Sequence, residues 1–249
     1  MPSKSIRSNT NSVSIKGQAI RNKILLSLPK GERDLVFEKL EFVSLPTPIV
    51  LSEAGEPIKN AYFLNDGLAS VLSVATDGKS VEVGLSGNEG FIGLPLTAGL
   101  RASPTRIIMQ VEGSGFMIPA SQLIAALREC PKLEVGLQRF SQEMALQSSQ
   151  VAACNRLHEI DERLARWLLM SQDRLSGNVV PLTQEFLAHM LGTRRASVTV
   201  AAGILQKRGI IGYTRGSVKI LSRSRLEEAS CDCYRIMTSQ IERWHSEVR

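Results

Sequence analysis

Residues Thr183 to Leu205 read TQEFLAHMLGTRRASVTVAAGIL, and no other stretch limits the possible folds as tightly. Ala188 is placed where a first helix must let a second approach closely. Gly192 follows four residues later, where the first helical pattern stops. A glycine there can take the left-handed conformation that ends a helix and turns the chain. Val198 then faces back into the angle between the helices. Helix, tight turn and helix, with small residues at the crossing, is the layout of a DNA-binding helix-turn-helix whose second helix enters the major groove. The charge agrees. No acidic residue occurs between Phe186 and Leu226, while Arg194, Arg195, Lys207, Arg208, Arg215, Lys219, Arg223 and Arg225 are all basic. A surface of one sign suits a polyanionic partner.

Composition sets the outer bounds. The chain has 249 residues, 43% of them hydrophobic, enough for two modest domains with packed cores. Its net charge is only +6, so the concentration of charge near the C-terminus says more than the sum. The N-terminus MPSKSIRSNTNSVSIKG lacks the apolar segment of a secretory leader, and no run is long enough to span a bilayer. A cytoplasmic protein with reduced thiols and no membrane contact is expected. Cys130, Cys154, Cys231 and Cys233 contain no C-x-x-C pair, so neither a structural zinc site nor any other metal or cofactor is expected. On a helix, Cys231 and Cys233 would point about 200° apart. They read as ordinary side chains, with redox sensing as the lesser reading.

The chain divides into four parts. Residues 1–20 are rich in Ser, Asn and Lys and read as a mobile tail. Residues 21–130 form a first domain. Short helices are predicted over Asn22–Leu28 and Gly31–Leu40, followed by short apolar segments from Phe42 to Ile118. Turn signals at Ala54-Gly55, Asp66-Gly67, Asp77-Gly78, Gly87-Asn88 and Glu112-Gly113 separate these segments, a texture that predicts a β-barrel or jelly roll. Asp77-Gly78 predicts a hairpin. Ser121 is expected to cap a short helix that ends near Cys130-Pro131. Residues 131–156 form one long helix in which Leu137, Phe140, Met144, Gln147, Val151 and Cys154 recur at steps of three and four. That period predicts a dimer seam with one polar position, against the plainer reading of an amphipathic helix lying on the barrel. Residues 157–249 hold a helix from His158 to Arg174, a break at Ser176-Gly177-Asn178, the helix-turn-helix, and a two-stranded wing around Arg215-Gly216. A last helix is expected to be opened by a Ser224/Glu227 capping box. The fold class is α+β.

A small barrel, a long helix and a winged helix-turn-helix, in this order, resemble the Crp/Fnr superfamily of bacterial transcription regulators. The resemblance is carried by LTQEFLAHMLGTRRASVTVAAGILQKRGII and by the glycine-punctuated barrel with its GNEGFIG. It implies a cyclic-nucleotide-binding-like sensor domain and a homodimer on a near-palindromic double-stranded operator. It also implies a contact with RNA polymerase, and no catalysis. Nothing in the chain matches a P-loop, a metal triad or a nucleophile elbow. Relatives that bind cyclic nucleotides carry a segment resembling F-I-G-E-L and then an R-S-A or R-T-A triplet. Here Phe91-Ile92-Gly93 is followed by Leu94, and Pro104 stands where the phosphate-binding arginine would align. Gly93, Leu94, Thr105 and Arg106 remain the candidate effector pocket, with Arg106 the one available substitute for the missing arginine. Relatives with an iron–sulfur cluster carry cysteines near the N-terminus, where this chain has none. The alternative function is a cyclic-nucleotide-responsive signalling module without a DNA role.

In a reading helix from Arg194 to Arg208, Val198, Ala201, Ala202 and Leu205 face inward. Arg195, Ala196, Thr199, Val200 and Gly203 share the outward arc. The resemblance assigns base reading to Arg195, Ala196 and Val200. Arg195 has the geometry for a bidentate pair with guanine, while Ala196 and Val200 offer only apolar contact. Thr193, Arg194, Ser197 and the wing residue Arg215 are expected on phosphates.

Overall fold

The computed structural model describes residues 13–214 and 216–247. It opens with a hairpin of β1 (Ser14–Ile15) and β2 (Gln18–Ala19), inside the segment predicted as tail. The polar composition hides two anchors, Ile15 and Ile20, which are buried. Helices α1 (Lys23–Ser27) and α2 (Lys30–Phe37) follow. Asn22 caps α1 by accepting the Leu25 amide, and its side-chain amide donates to the carbonyls of Leu64 and Gly90. One buried residue thus starts the helix and ties it to the barrel.

Eight strands come next: β3 (Glu41–Leu45), β4 (Ile49–Ser52), β5 (Asn60–Leu64), β6 (Leu68–Val74), β7 (Ser80–Ser86), β8 (Phe91–Ile92), β9 (Arg106–Val111) and β10 (Gly113–Pro119). They pair antiparallel in two sheets, ordered β3-β10-β5-β8 and β4-β9-β6-β7. First strand beside last and second beside second-last is the pattern of a jelly roll, in which a long antiparallel ribbon folds over on itself. The Asp77-Gly78 turn joins β6 to β7 as predicted, with Val74 opposite Ser80.

Helix α3 (Ala120–Glu129) is capped by Pro119 without a side-chain bond, so Ser121 lies inside the helix and is not its cap. Pro131 opens α4 (Pro131–Leu157), where its missing N–H costs nothing. All six residues predicted as a dimer seam are buried within the single chain. Leu137, Phe140 and Met144 pack into the jelly-roll core. Gln147 accepts the Leu85 amide at 2.6 Å and donates back to the Leu85 carbonyl at 3.2 Å, pairing with β7 as a strand would. Cys154 lies against Cys231. The period correctly marks a buried stripe, but the chain's own domains cover it. It is therefore the seam between α4 and the rest of the protomer, and a dimer contact must use another face.

The C-terminal part contains α5 (Ile160–Gln172), β11 (Val179–Val180), α6 (Gln184–Met190), α7 (Arg195–Lys207), β12 (Ile211–Thr214), β13 (Ser217–Ile220), α8 (Arg223–Ala229) and α9 (Cys233–Ser246). A reciprocal capping box of Glu159 and Glu162 starts α5. Trp167, Leu164 and Leu168 on α5 are buried in a core shared with α6, α7 and the wing. Ser222, not Ser224, caps α8, and Glu227 turns to Arg223. The helix breaks at Ser230 and the chain continues into α9, a helix that the sequence reading merges with α8. Among the described residues, no helix is long and apolar enough to cross a membrane.

Candidate nucleic-acid interface and neighbouring sites

The turn between α6 and α7 is closed by two backbone bonds. Thr193 N–H reaches the Ala188 carbonyl at 2.9 Å, and Gly192 N–H reaches the His189 carbonyl at 3.1 Å. Gly192 has φ +59°. This pair of bonds around a left-handed residue satisfies the last carbonyls of α6 while reversing the chain, as the sequence predicts. Val198, Ala201, Ala202 and Leu205 are all buried, so the inner face of α7 is as expected.

The outer face carries the predicted DNA-binding residues. Arg194 caps α7, and Arg195, Ala196, Thr199 and Val200 are exposed on its first turns, with Thr193 and Ser197 half-buried beside them. Val200 is 64% exposed. The Thr199 hydroxyl lies 2.8 Å from Gln184 Oε1 and 3.0 Å from the Arg195 carbonyl. Gln184 thus reaches this face, a residue that sequence reading misses because it sits on the other helix. Among the described residues, the ion pairs involve neither Arg194 nor Arg195. Arg223, counted with the basic surface, is instead held by Asp173 at 2.7 Å and Glu227 at 2.8 Å, so its charge is neutralised locally. Arg215 lies outside the described residues. Strand β11 joins the wing, giving the order β11-β13-β12.

The helix-turn-helix rests on the jelly roll. His189 Nε2 lies 2.8 Å from Ser80 Oγ on β7. A Cβ added at Gly192 would stand 2.9 Å from Val81 Cγ2, closer than side chains approach. The turn before α7 is therefore in direct contact with the hairpin of the first domain.

A cavity of about 350 Å³ lies between the jelly roll and α4. Gly93, Leu94 and Thr105, three of the residues grouped as the candidate effector pocket, line it together with Phe140 and Met144. Arg106 does not line it. Its guanidinium turns to Glu53, 2.8 Å away, and lowers that carboxyl's pKa. Adjacent residues on a strand point to opposite faces, so Arg106 cannot follow Thr105 into the cavity. Among the described residues, no charged side chain lines the cavity, and the buried hydroxyl of Ser86 in its wall has no partner.

At the far end of α4, Cys154, His158, Cys231 and Cys233 bring their donor atoms within 4.8 Å of one another. The sequence reading keeps these residues apart by setting Cys231 and Cys233 on one helix. In fact α8 ends at Ala229 and α9 begins at Cys233, so Cys231 stands in the link and both thiols turn to Cys154. The local signal is the one-turn spacing of Cys154 and His158 at the end of α4. A hydrogen bond from Cys231 pulls the Cys154 thiol below its ordinary pKa, with Arg166's charge acting in the same direction against burial.

These parts define a class: a jelly roll joined by a long helix to a winged helix-turn-helix. A family model described as a Crp-like helix-turn-helix domain matches residues 162–229. The whole fold resembles FixK2 from Bradyrhizobium japonicum, with TM-score 0.67 and 17% identity over 77% of this chain and 98% of that one. It also resembles the c-di-GMP-responsive global regulator CLP of Xanthomonas campestris, with TM-score 0.64 and 16% identity over 78% and 100%. A CRP-family transcriptional regulator from Thermus thermophilus gives TM-score 0.59 and 20% identity over 76% and 96%. A comparison with curated protein sequences finds no match. The chain is thus similar by sequence to a Crp-like helix-turn-helix domain over residues 162–229, and by fold to these regulators across most of its length.

Proposed function

We propose that this protein is a sequence-specific transcription regulator that binds double-stranded DNA as a two-fold dimer. The observation that carries the reading is the outer face of α7. Arg195, Ala196, Thr199 and Val200 are exposed there, while the opposite face is fully buried in the domain core. Such a helix presents its first turns to base edges, flanked by Thr193, Arg194 and Ser197 for phosphates. With the predicted stripe of α4 buried, the dimer contact falls to the exposed one. Val135, Gln138, Gln142, Ala145, Ser149 and Ala152 recur there at steps of three and four. Small and uncharged polar side chains let two copies of α4 approach closely about a two-fold axis.

The effector that suits the cavity is a small, neutral and largely apolar molecule with one hydrogen-bonding group for Ser86. A cyclic nucleotide suits it poorly, because its phosphate meets no cation among the described lining residues. This disfavours the reading as a cyclic-nucleotide signalling module. A regulator of this kind works beside the chromosome in the cytoplasm, with RNA polymerase as a partner, and needs no catalysis.

The test is fluorescence anisotropy on genomic fragments over a range of salt. Specific fragments should bind far more tightly than scrambled ones. Log affinity should fall steeply with log salt, by about 0.9 for each phosphate neutralised. Equal affinity for all fragments, or affinity flat with salt, would refute the assignment.

A further inference from the structure

The joint between α4 and the C-terminal helices brings together three buried thiols and an imidazole. We propose that Cys154, His158, Cys231 and Cys233 form a metal site for one thiophilic divalent cation, zinc in its chemistry. The inference does not depend on the DNA-binding reading.

The spacing fits a single tetrahedral ion. Zinc–sulfur bonds of about 2.3 Å and zinc–nitrogen bonds of about 2.0 Å give ligand-to-ligand edges of roughly 3.5–3.8 Å. The Cys154 and Cys231 sulfurs are 3.5 Å apart, and Cys233 Sγ lies 3.4 Å from His158 Nδ1. All four donor atoms lie within 4.8 Å of one another and come from two segments, the end of α4 and the α8–α9 junction, so small side-chain movements close the site around one ion without using a backbone group. Three thiolates and an imidazole are the ligand set of structural zinc.

The surroundings supply what a metal-bound histidine needs. His158 offers Nδ1 to the cluster, while its Nε2 faces Asp232 Oδ1 at 3.4 Å. A carboxylate on the far nitrogen fixes the tautomer that leaves the near nitrogen free to coordinate. Gln150 Nε2 donates to Cys233 Sγ at 3.2 Å, which orients that sulfur and suits a thiolate.

Charge also favours the site. Three thiolates around a divalent ion leave one net negative charge in a buried place. Arg163 and Arg166 are 6% and 3% exposed, and neither forms an ion pair among the described residues. Their Nε atoms have no hydrogen-bond partner. Both act electrostatically on Cys154 and Cys231. Buried cations are costly unless an anion compensates them, and a thiolate-rich metal site is such an anion. On binding, each coordinating thiol releases its proton to solvent. The ion would cross-link the end of α4 to the α8–α9 link, pinning the C-terminal domain to the long helix.

The test uses full-length protein expressed with added zinc and purified without chelators under a non-thiol reductant. Elemental analysis should find about one zinc per chain. Exchange for cobalt(II) should give the intense visible bands of a tetrahedral site and a thiolate charge-transfer band in the near ultraviolet. Cys231→Ser should lose metal and bands, while Cys130→Ser, whose thiol lies in the jelly-roll core, should keep both. Should Cys231→Ser fail to fold, mercurial titration of the unaltered protein gives the same answer. Zinc should be released to a colorimetric chelator as about three thiols react. Three results would overturn the proposal: protein without zinc and without cobalt bands, bands lost equally in Cys130→Ser, or a Cys154–Cys231 disulfide in the protein as purified.

Discussion

Trp167 on α5 donates its indole N–H to Oε1 of Glu82 on β7 at 2.7 Å, so a buried carboxyl group joins the C-terminal domain to the jelly roll. The other oxygen of Glu82 lies 2.8 Å from Ser70 Oγ, which is also 2.6 Å from Gln110 Oε1. A hydroxyl has one proton and cannot donate to both. Turning the Gln110 amide over lets its otherwise unpartnered Nε2 donate to Ser70, whose own proton then goes to Glu82; a protonated Glu82 that donates to Ser70 satisfies the group as well. Burial pushes Glu82 from 4.5 up to about 7, against the hydrogen bonds from Ser70 and Trp167 and the charges of Arg166 and Arg174.

The folded pKa of Glu82 lies above the unfolded one, which sets the sign of its pH linkage. Below about pH 4.5 both states hold the proton and its contribution is complete. Between 4.5 and about 7 the unfolded chain ionises first, so stability falls as pH rises. The full effect is on the order of 3 kcal/mol. Glu82→Gln keeps an acceptor for Trp167 and a donor for Ser70 without titrating, and should remove this slope. Urea unfolding at pH 5 and pH 8 measures it. The same slope in both proteins would mean that Glu82 does not carry it.

Ser149→Glu with Ala152→Glu should convert a dimer into monomers, because a two-fold axis through the exposed stripe sets each carboxylate near its own copy. Both positions are exposed in the protomer, so thermal stability should barely change. Met144→Glu, at a position that the sequence predicts as seam, should instead unfold the protomer by burying an unpaired charge. Sedimentation velocity separates the cases. A doubly substituted protein that remains dimeric removes this face from the interface.

How much is legible in the sequence follows the range of the forces involved. The helix-turn-helix can be read because its signals are local: Gly192 ends one helix, and Val198 faces inward a few residues later. The strands are marked by turn dipeptides, but nothing local says that β3 pairs with β10. The stripe from Leu137 to Cys154 is legible as buried. A period of three and four reports burial and is silent on what does the burying, so the jelly roll passes for a second copy. Arg106 is misplaced unless strand alternation is applied to its neighbour Thr105. The cysteine cluster is only half legible: the one-turn spacing of Cys154 and His158 is local, but Cys154 and Cys231 meet only in the fold, and a continuous helix is expected where the chain turns at Asp232.

Gly192→Ala should destabilise the protein by two separable routes. The left-handed φ of +59° costs a residue with Cβ about 1–2 kcal/mol. The new Cβ also meets Val81 Cγ2 at 2.9 Å, so either the turn or β7 must shift. Adding Val81→Ala removes the second cost and leaves the first. Denaturant unfolding of the single and double variants should show partial rescue. If Val81→Ala adds its own loss independently, the turn does not press on the jelly roll in solution.

Arg195→Ala and Arg194→Ala should fail in different ways on DNA. Arg195 begins the exposed arc of α7, and its outward neighbours Ala196 and Val200 have no hydrogen-bonding side chain. Little else on that turn can recognise a guanine. Its loss should cost about 1–3 kcal/mol on the specific site and flatten preference at one base pair in each half-site. Arg194 caps the helix from outside the arc, where the proposed docking would set its guanidinium against the phosphate backbone. Its loss should weaken every sequence by a similar factor and reduce the salt slope by about one. Both variants are to be titrated on specific and scrambled duplexes at several salt concentrations. Should Arg195→Ala weaken both duplexes equally while Arg194→Ala changes the preferred base, the two roles are assigned the wrong way round.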